Sequence, residues 1–517
     1  MDWIYSYFIH SINIISHSAF TAFWFRYKIG ATHIGFRFGN QLLLLYGLAV
    51  DTRSNLWIFG GGVGWFFSFC LLGIQGYSST RARGRPSRVR HMEKLFKKMK
   101  AYNPQNWIDC RKGIFVGLEE GKHPVYVPTQ QFHETHVQVV GASGSGKGIS
   151  LGLLANQFTL AGEGVIIFDP KGDKRLPLVA ALATKKAGKQ FRFIDLRPDA
   201  PPQFNLLSGA SAHEIEELLI AGLGLQPTSG DGDYYRGLDQ DAAASVAHQV
   251  AGSDVATIAT ALELARKDAE VLKAENFVRR LKQVSELAAI QTSHDFDLEG
   301  IVARGDVLYI LGATDNHRVK TVQMMLLIRL LQIIKRQPSG QKIALFLDEF
   351  KHLLCPVSLD ALGTVRELGC HAILAHQSMG DLGGCPGLKR EDVEPRVVDN
   401  TTLKLVYRLN DAKASADFAA RSGKQRTHVE GVRALDQDNK DQRAWTEMQQ
   451  FRMSEDLFTH LHRPSDGNEV VAAGVLFGYK TARLIAVSPI NVMGTLPPVQ
   501  AAPPEKSSVP TAREALI

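Results

Sequence analysis

One octapeptide, Gly141-Ala142-Ser143-Gly144-Ser145-Gly146-Lys147-Gly148, constrains this chain more than any other part of its 517 residues. It follows the apolar Val137, Val139 and Val140 and leads into Ile149, Leu151, Leu153, Leu154 and Phe158 at helical spacing. The expected order is therefore strand, glycine loop, helix. In that context glycines let backbone N–H groups turn inward on phosphate oxygens. The helix N-terminus adds partial positive charge, and Lys147 reaches the terminal phosphates. Gly141, Ala142, Ser143, Gly144, Ser145, Gly146, Lys147, Gly148 and Ile149 are the expected nucleotide contacts. Such a loop usually ends in Ser or Thr, whose hydroxyl holds Mg²⁺, and Gly148 has none. Ser150 lies two residues on, roughly 200° around the helix, so it does not simply substitute.

A matching acidic partner stands about 200 residues later in Ile343-Ala344-Leu345-Phe346-Leu347-Asp348-Glu349-Phe350. The continuous apolar run suits a strand buried on both faces of a parallel sheet. Asp348 and Glu349 then sit at its C-terminal end, where open α/β sheets bind ligands. Asp348 is the expected Mg²⁺ ligand, directly or through water, and Glu349 the residue that orients and deprotonates attacking water. Loop and acid pair together point to ATP hydrolysis, with ATP and Mg²⁺ as cofactors. Gly164–Asp169, Phe191–Leu196, Val307–Leu311 and Ala372–Ala375 read as further short strands, with helical patterns such as Val319–Ile334 between several of them. That alternation predicts an α/β fold with a mostly parallel sheet. Asp169, before Pro170-Lys171-Gly172-Asp173, reads equally as a site residue or as part of a strand-ending turn.

The net charge of +7 is concentrated in one segment. Between Arg81 and Lys100 lie nine basic residues against the single acid Glu93, so the remainder is close to neutral. A globally basic nucleic-acid binder is not indicated. The basic run follows Leu56–Ile74, 19 residues without a charge, with Trp57 and Tyr77 near its two ends. That length crosses a bilayer as a helix, and the basic flank keeps the following chain cytoplasmic. An earlier apolar stretch, in residues 3–25 or 34–50, makes a two-helix hairpin the expected anchor over residues 1–77. The basic run itself suits either anionic lipid or a DNA backbone. Cys70, Cys110, Cys355, Cys370 and Cys385 show no disulfide or metal-ligand spacing and are expected as thiols.

A nucleotide-binding domain is expected over 78–208 and 301–490, interrupted by an all-helical insertion at 209–300. Within the insertion, Ala212–Leu225 and Val255–Ala289 read as helices, the second carrying Phe277, Leu281, Val284 and Ala288 and capped by Ser253 or Asp254. Residues 491–517, rich in Pro, read as a disordered tail.

The anchor, Gly144-Ser145-Gly146-Lys147-Gly148, Phe168-Asp169-Pro170-Lys171-Gly172-Asp173, Leu347-Asp348-Glu349-Phe350 and the segment Arg366–Ser378 together resemble the type IV coupling proteins of bacterial conjugation and secretion, within the FtsK/HerA group of DNA-pumping ATPases. The resemblance spans roughly residues 34–490, and the family often carries glycine at the position of Gly148. It implies a RecA-like P-loop core, a homo-hexameric ring at the bacterial inner membrane, and DNA, relaxase or relaxosome proteins and secretion-channel components as partners. It further implies that Gln377 senses the γ-phosphate and that Arg366 is an arginine finger for a neighbour's site. Some members place a second nucleotide-contacting arginine before the loop. None lies between Lys122 and Lys147, leaving His133, Lys122 or no residue in that role. Three readings stand: a motor pumping relaxase-bound single-stranded DNA, a nucleotide-regulated receptor docking relaxosome or effector proteins, and an FtsK-like chromosome pump. The short anchor and helical insertion argue against the last.

Overall fold

Short runs of Val, Ile, Leu and Phe pair into one eleven-stranded sheet. The structure, a computed structural model, describes residues 99–503 except 120–121, 227–232, 337–339, 385–387, 434–441 and 467–468. In chain order the strands are β1 (Ile114–Glu119), β2 (His123–Val127), β3 (Val137–Val140), β4 (Gly164–Asp169), β5 (Phe191–Asp195), β6 (Val307–Leu311), β7 (Ile343–Leu347), β8 (Cys370–His376) and β9 (Leu403–Val406). The hairpin β10 (Lys424–Arg433) and β11 (Gln442–Phe451) comes next, then β12 (Ala472–Phe477) and β13 (Arg483–Val487).

The spatial order is β2-β1-β13-β12-β9-β3-β8-β7-β4-β6-β5. From β9 to β5 every pairing is parallel. The four strands beyond β9 pair antiparallel. The sequence had marked six of the seven parallel strands. It had marked neither β9 nor the antiparallel extension.

Side chains alternate between two cores, as strand geometry requires. Val165, Ile167, Ala344, Phe346, Ile373 and Ala375 face one side, and Ile166, Phe168, Ile343, Leu345, Ala372 and Leu374 the other. The first core is covered by α1 (Thr129–His133), α2 (Lys147–Leu160) and α3 (Leu176–Ala187). Across the second lie α4 (Ala212–Gly222), α5 (Asp233–Ala251), α6 (Ile258–Lys267), α7 (Glu275–Ser285), α8 (Leu298–Arg304), α9 (His317–Arg336) and α10 (Pro356–Thr364).

The helices between β5 and β6 do not stand apart. Their apolar faces share one core with the sheet, and the described residues outside 427–447 form a single compact unit. The single helix expected over 255–289 is broken into α6, α7 and two 3₁₀ turns. Thr257, not Ser253 or Asp254, caps it, its side chain accepting from Thr260 N–H. The tail expected from 491 lacks helix and strand up to 503 but is tied down: Ala502 N–H donates to Pro202 O at 2.8 Å and Arg192 to Gln500 at 3.0 Å. Both expected membrane spans lie outside the described residues, as does nearly all of the basic run. Among the described residues no helix is long and apolar enough to cross a membrane.

Arg329 shows how tightly the helical layer joins the rest. It lies fully buried on α9, with Glu214 at 3.3 Å and Glu299 at 3.5 Å. Glu214 also closes a capping box with Ser211 at the start of α4. Glu214→Ala therefore breaks the capping box and leaves buried Arg329 with Glu299 as its one remaining carboxylate partner among the described residues. The expected loss is about 3 kcal/mol in urea unfolding. Glu214→Leu combined with Arg329→Met is expected to lose less than Glu214→Ala alone.

Candidate nucleotide-binding site

Parallel pairing decides which residues meet. Val140 is level with His376 and Leu347 with Leu374, so β3, β8 and β7 all end at one edge of the sheet. The glycine loop, Gln377 and the Asp348–Glu349 pair leave that edge side by side. The loop and the acid pair border a cavity of about 500 Å³ lined in part by Gly144, Gly146, Lys147, Gly148, Lys171, Asp173, Asp348 and Glu349. A second cavity of about 450 Å³ lies on the loop's other side, against Ala142, Ser143, Gln377 and Asp381.

The loop conformation depends on its glycines. Gly144 and Gly146 have φ of 71° and 113°, and Gly146 caps α2. A Cβ on Gly146 would come within 2.3 Å of Ala472 Cβ, and one on Gly141 within 2.7 Å of Tyr407 Cβ. Tyr407, just past β9, forms the floor of the loop, and its hydroxyl bonds to Ser150 Oγ. That bond takes Ser150 out of any metal role. Sequence spacing carried no sign of Tyr407.

Lys147 is buried, and its Nζ donates to Gly141 O at 2.6 Å and Ala142 O at 3.2 Å. Burial lowers its pKa, against the pull of Glu349. Glu349 has a left-handed backbone (φ 46°) and a buried side chain. Gln377 Nε2 donates to both its carboxylate oxygens at 3.1 Å, and the Lys171 ammonium pairs with it. Burial would raise this carboxyl, but Lys171, Gln377 and Lys147 outweigh it and hold it below the usual range. Asp348 behaves oppositely. Burial first, then the negative charge of Asp169 and Glu349, push its carboxyl up to about 6.

Two further residues complete the acidic side. Asp169 accepts from the N–H groups of Lys171, Gly172 and Asp173 and from the Tyr309 hydroxyl. The turn reading of Asp169 is thus the correct one, and the turn is what carries Lys171 and Asp173 into the site. Asp173 Oδ1 accepts from the N–H groups of Arg175 and Leu176 at the start of α3. Its Oδ2 lies 3.2 Å from where a Cβ on Gly148 would stand. A carboxylate oxygen therefore occupies the neighbourhood where a loop Ser or Thr would carry its hydroxyl. An all-oxygen donor set with uncompensated negative charge at Asp348 fits Mg²⁺.

Not every expected residue gathers here. Arg366 is exposed, donates to Glu134 O at 3.2 Å, and precedes β8 at the other end of the strand from Gln377. His133 pairs with Glu163 at 2.9 Å and does not line the cavity, and neither does Lys122. Neither replaces the absent arginine.

His376 ties the loop strand to β8. Its backbone O accepts from Gly141 N–H at 3.3 Å. Its ring lies 2.8 Å from Ser378 O and 2.9 Å from the Gln138 amide nitrogen, so it is neutral, with the proton on Nδ1. Burial holds its pKa down to about 4. Unfolded histidine titrates near 6.5, so the unfolded chain alone gains this proton as pH falls. Its contribution to stability is complete above pH 6.5 and is lost on acidification toward 4. From pH 6.5 to 5 His376 is expected to cost about 2 kcal/mol, read as a falling urea midpoint that His376→Asn flattens.

Comparison with known proteins agrees with this geometry. Residues 342–462 match a family described as the TraM recognition site of TraD and TraG. Residues 114–228 match the central domain of the helicase HerA. Mobilization protein A of Escherichia coli is 31% identical over 322 residues, 62% of this chain and 60% of that protein, so the match spans well under two thirds of the relative. Among solved structures, the bacterial conjugative coupling protein TrwBdeltaN70 in unbound form superposes with a TM-score of 0.55 at 15% identity, over 78% of this chain and 96% of that one. The plasmid coupling protein TrwB in complex with ADP and Mg²⁺ gives 0.52 at 15% identity, over 77% and 94%. At such identity these structures establish the shared fold. In sequence motifs and fold the chain is similar to the type IV coupling proteins of the FtsK/HerA group.

Proposed function

We propose that the chain is a membrane-anchored ATPase that recruits relaxase-bound single-stranded DNA and pumps it toward a type IV secretion channel, working as a homo-hexamer at the bacterial inner membrane. The observation that carries this reading is the convergence of Lys147, Asp348 and Glu349 on one cavity at the ends of parallel strands, with Gln377 bonded to Glu349 from the neighbouring cavity. Mg²⁺, when bound, neutralises charge between the phosphates; Asp348 and Asp173 are its expected oxygen partners. Lys147 and the loop N–H groups hold the phosphates. Glu349 orients the attacking water and accepts its proton, and it is ionised at neutral pH because Lys171 and Gln377 stabilise the carboxylate. Gln377, touching Glu349, is placed to report γ-phosphate occupancy to β8. Arg366, remote from its own cavity, would complete a neighbouring subunit's site across the ring. Structures of the plasmid coupling protein TrwB in complex with ADPNP and with ADP and Mg²⁺ support the choice of cofactors.

A docking role has its own support, because the matched TraM recognition region overlaps the catalytic strands at 342–462. One comparison separates pump from receptor. The full chain is expected to hydrolyse ATP faster with DNA added, and Glu349→Gln to lower turnover at least about 100-fold. Lys147→Ala is expected to abolish both hydrolysis and transfer. Transfer that survives without hydrolysis would end the pump reading and leave the receptor.

Asp173 gives a finer test. Asp173→Asn keeps an oxygen acceptor at the start of α3 but removes the charge. The Mg²⁺ concentration needed for half-maximal binding of a fluorescent ADP is expected to rise about tenfold, with binding in chelator unchanged.

A further inference from the structure

At the opposite end of the sheet from the cavity, three residues from distant parts of the chain converge. His133 ends α1, Glu163 lies in the turn between α2 and β4, and His371 is the second residue of β8. Their ligand atoms all lie within 4.8 Å of one another. His133 Nε2 is 2.9 Å from Glu163 Oε1, and His371 Nε2 is 3.6 Å from Glu163 Oε2. The two imidazoles are 5.4 Å apart between ring centres.

Hydrogen bonding leaves this cluster unfinished. His371 is 1% exposed and Glu163 4%. Glu163 Oε2 and both ring nitrogens of His371 have no hydrogen-bond partner. A buried polar atom without a partner costs about 1–3 kcal/mol, and an uncompensated carboxylate more. Two of these atoms, Oε2 and His371 Nε2, face each other across a gap too wide for a hydrogen bond. The gap matches two ligands of one ion: bonds of about 2.0–2.1 Å at a tetrahedral angle leave donor atoms roughly 3.3 Å apart.

We infer that His133, Glu163 and His371 form a metal site for a divalent transition ion, with zinc as the expected occupant. Two imidazole nitrogens and one carboxylate suit Zn²⁺ and disfavour Mg²⁺ or Ca²⁺, which take oxygen. The fourth position opens toward solvent past His133, whose side chain is 23% exposed. The surroundings are built to hold the ligands still. Phe158 packs edge-on against His371 at 4.8 Å and against Phe132, the neighbour of His133, at 5.3 Å. Lys189 fixes the turn by donating to the backbone carbonyls of Gly162, Glu163 and Gly305. An ion there would clamp α1, the start of β4 and the start of β8, leaving the nucleotide edge untouched. Its role is structural and does not depend on the proposed hydrolysis.

The test uses the full chain without a histidine tag, stripped by chelator and titrated with Co²⁺, then Zn²⁺. One Co²⁺ per chain is expected, with the visible absorption of a four-coordinate site, displaced by stoichiometric Zn²⁺. His133→Ala, at the most exposed of the three ligands, is expected to weaken Zn²⁺ affinity at least tenfold, and Glu163→Gln likewise. Zn²⁺ is expected to raise the melting temperature of the wild type but not of either variant. Absence of stoichiometric binding overturns the assignment, as does equal binding by wild type and both variants.

Discussion

Three side-by-side parallel strands make the whole site possible. Backbone hydrogen bonds between β3 and β8, and between β8 and β7, set the register that brings Gly141, Gln377 and Asp348 to one edge. A parallel ladder cannot be closed by a hairpin, so each strand must be reached by a long crossover. That requirement explains why residues about 200 positions apart share one cavity. It also explains the helical mass between β5 and β6, which lengthens one crossover and adds its apolar faces to the core already lying under the sheet.

Charge is arranged around that edge in a balanced but strained way. Lys171 and Gln377 keep Glu349 ionised, while Asp348, next to it, carries a carboxyl raised by burial and then by the charge of Asp169 and Glu349. Adjacent acids pushed in opposite directions suit different tasks, one to take a proton and one to share a cation. The Asp169 turn is what imposes this division. By accepting three backbone N–H groups it carries Lys171 to Glu349 and Asp173 to Gly148. The missing loop hydroxyl and the extra carboxylate are therefore two sides of one local design.

The two ends of the sheet do different work. One end gathers glycines, lysines and acids around an open cavity. The other gathers His133, Glu163 and His371 in a nearly dry pocket backed by Phe132 and Phe158. Both ends use β8, with Gln377 following one end of it and His371 near the other.

Much of this protein could be read from local chemistry. The glycine loop, the strands β3 to β8 and the Asp348–Glu349 pair all announce themselves through short contiguous patterns, because backbone conformation and apolar run length are properties of neighbouring residues. Pairing was not legible. β1, β2, β12 and β13 joined the sheet antiparallel, and β9 brought Tyr407 beneath the loop, through contacts between segments far apart in the chain. The helix start moved to Thr257 because a hydroxyl there reached Thr260 N–H, a choice among several nearby caps that packing made. His133, one of the alternatives for the absent arginine, went to Glu163 and His371 at the far edge. Local sequence sets which conformations are affordable; only the closing of long loops into one core decides which distant side chains end up within bonding distance.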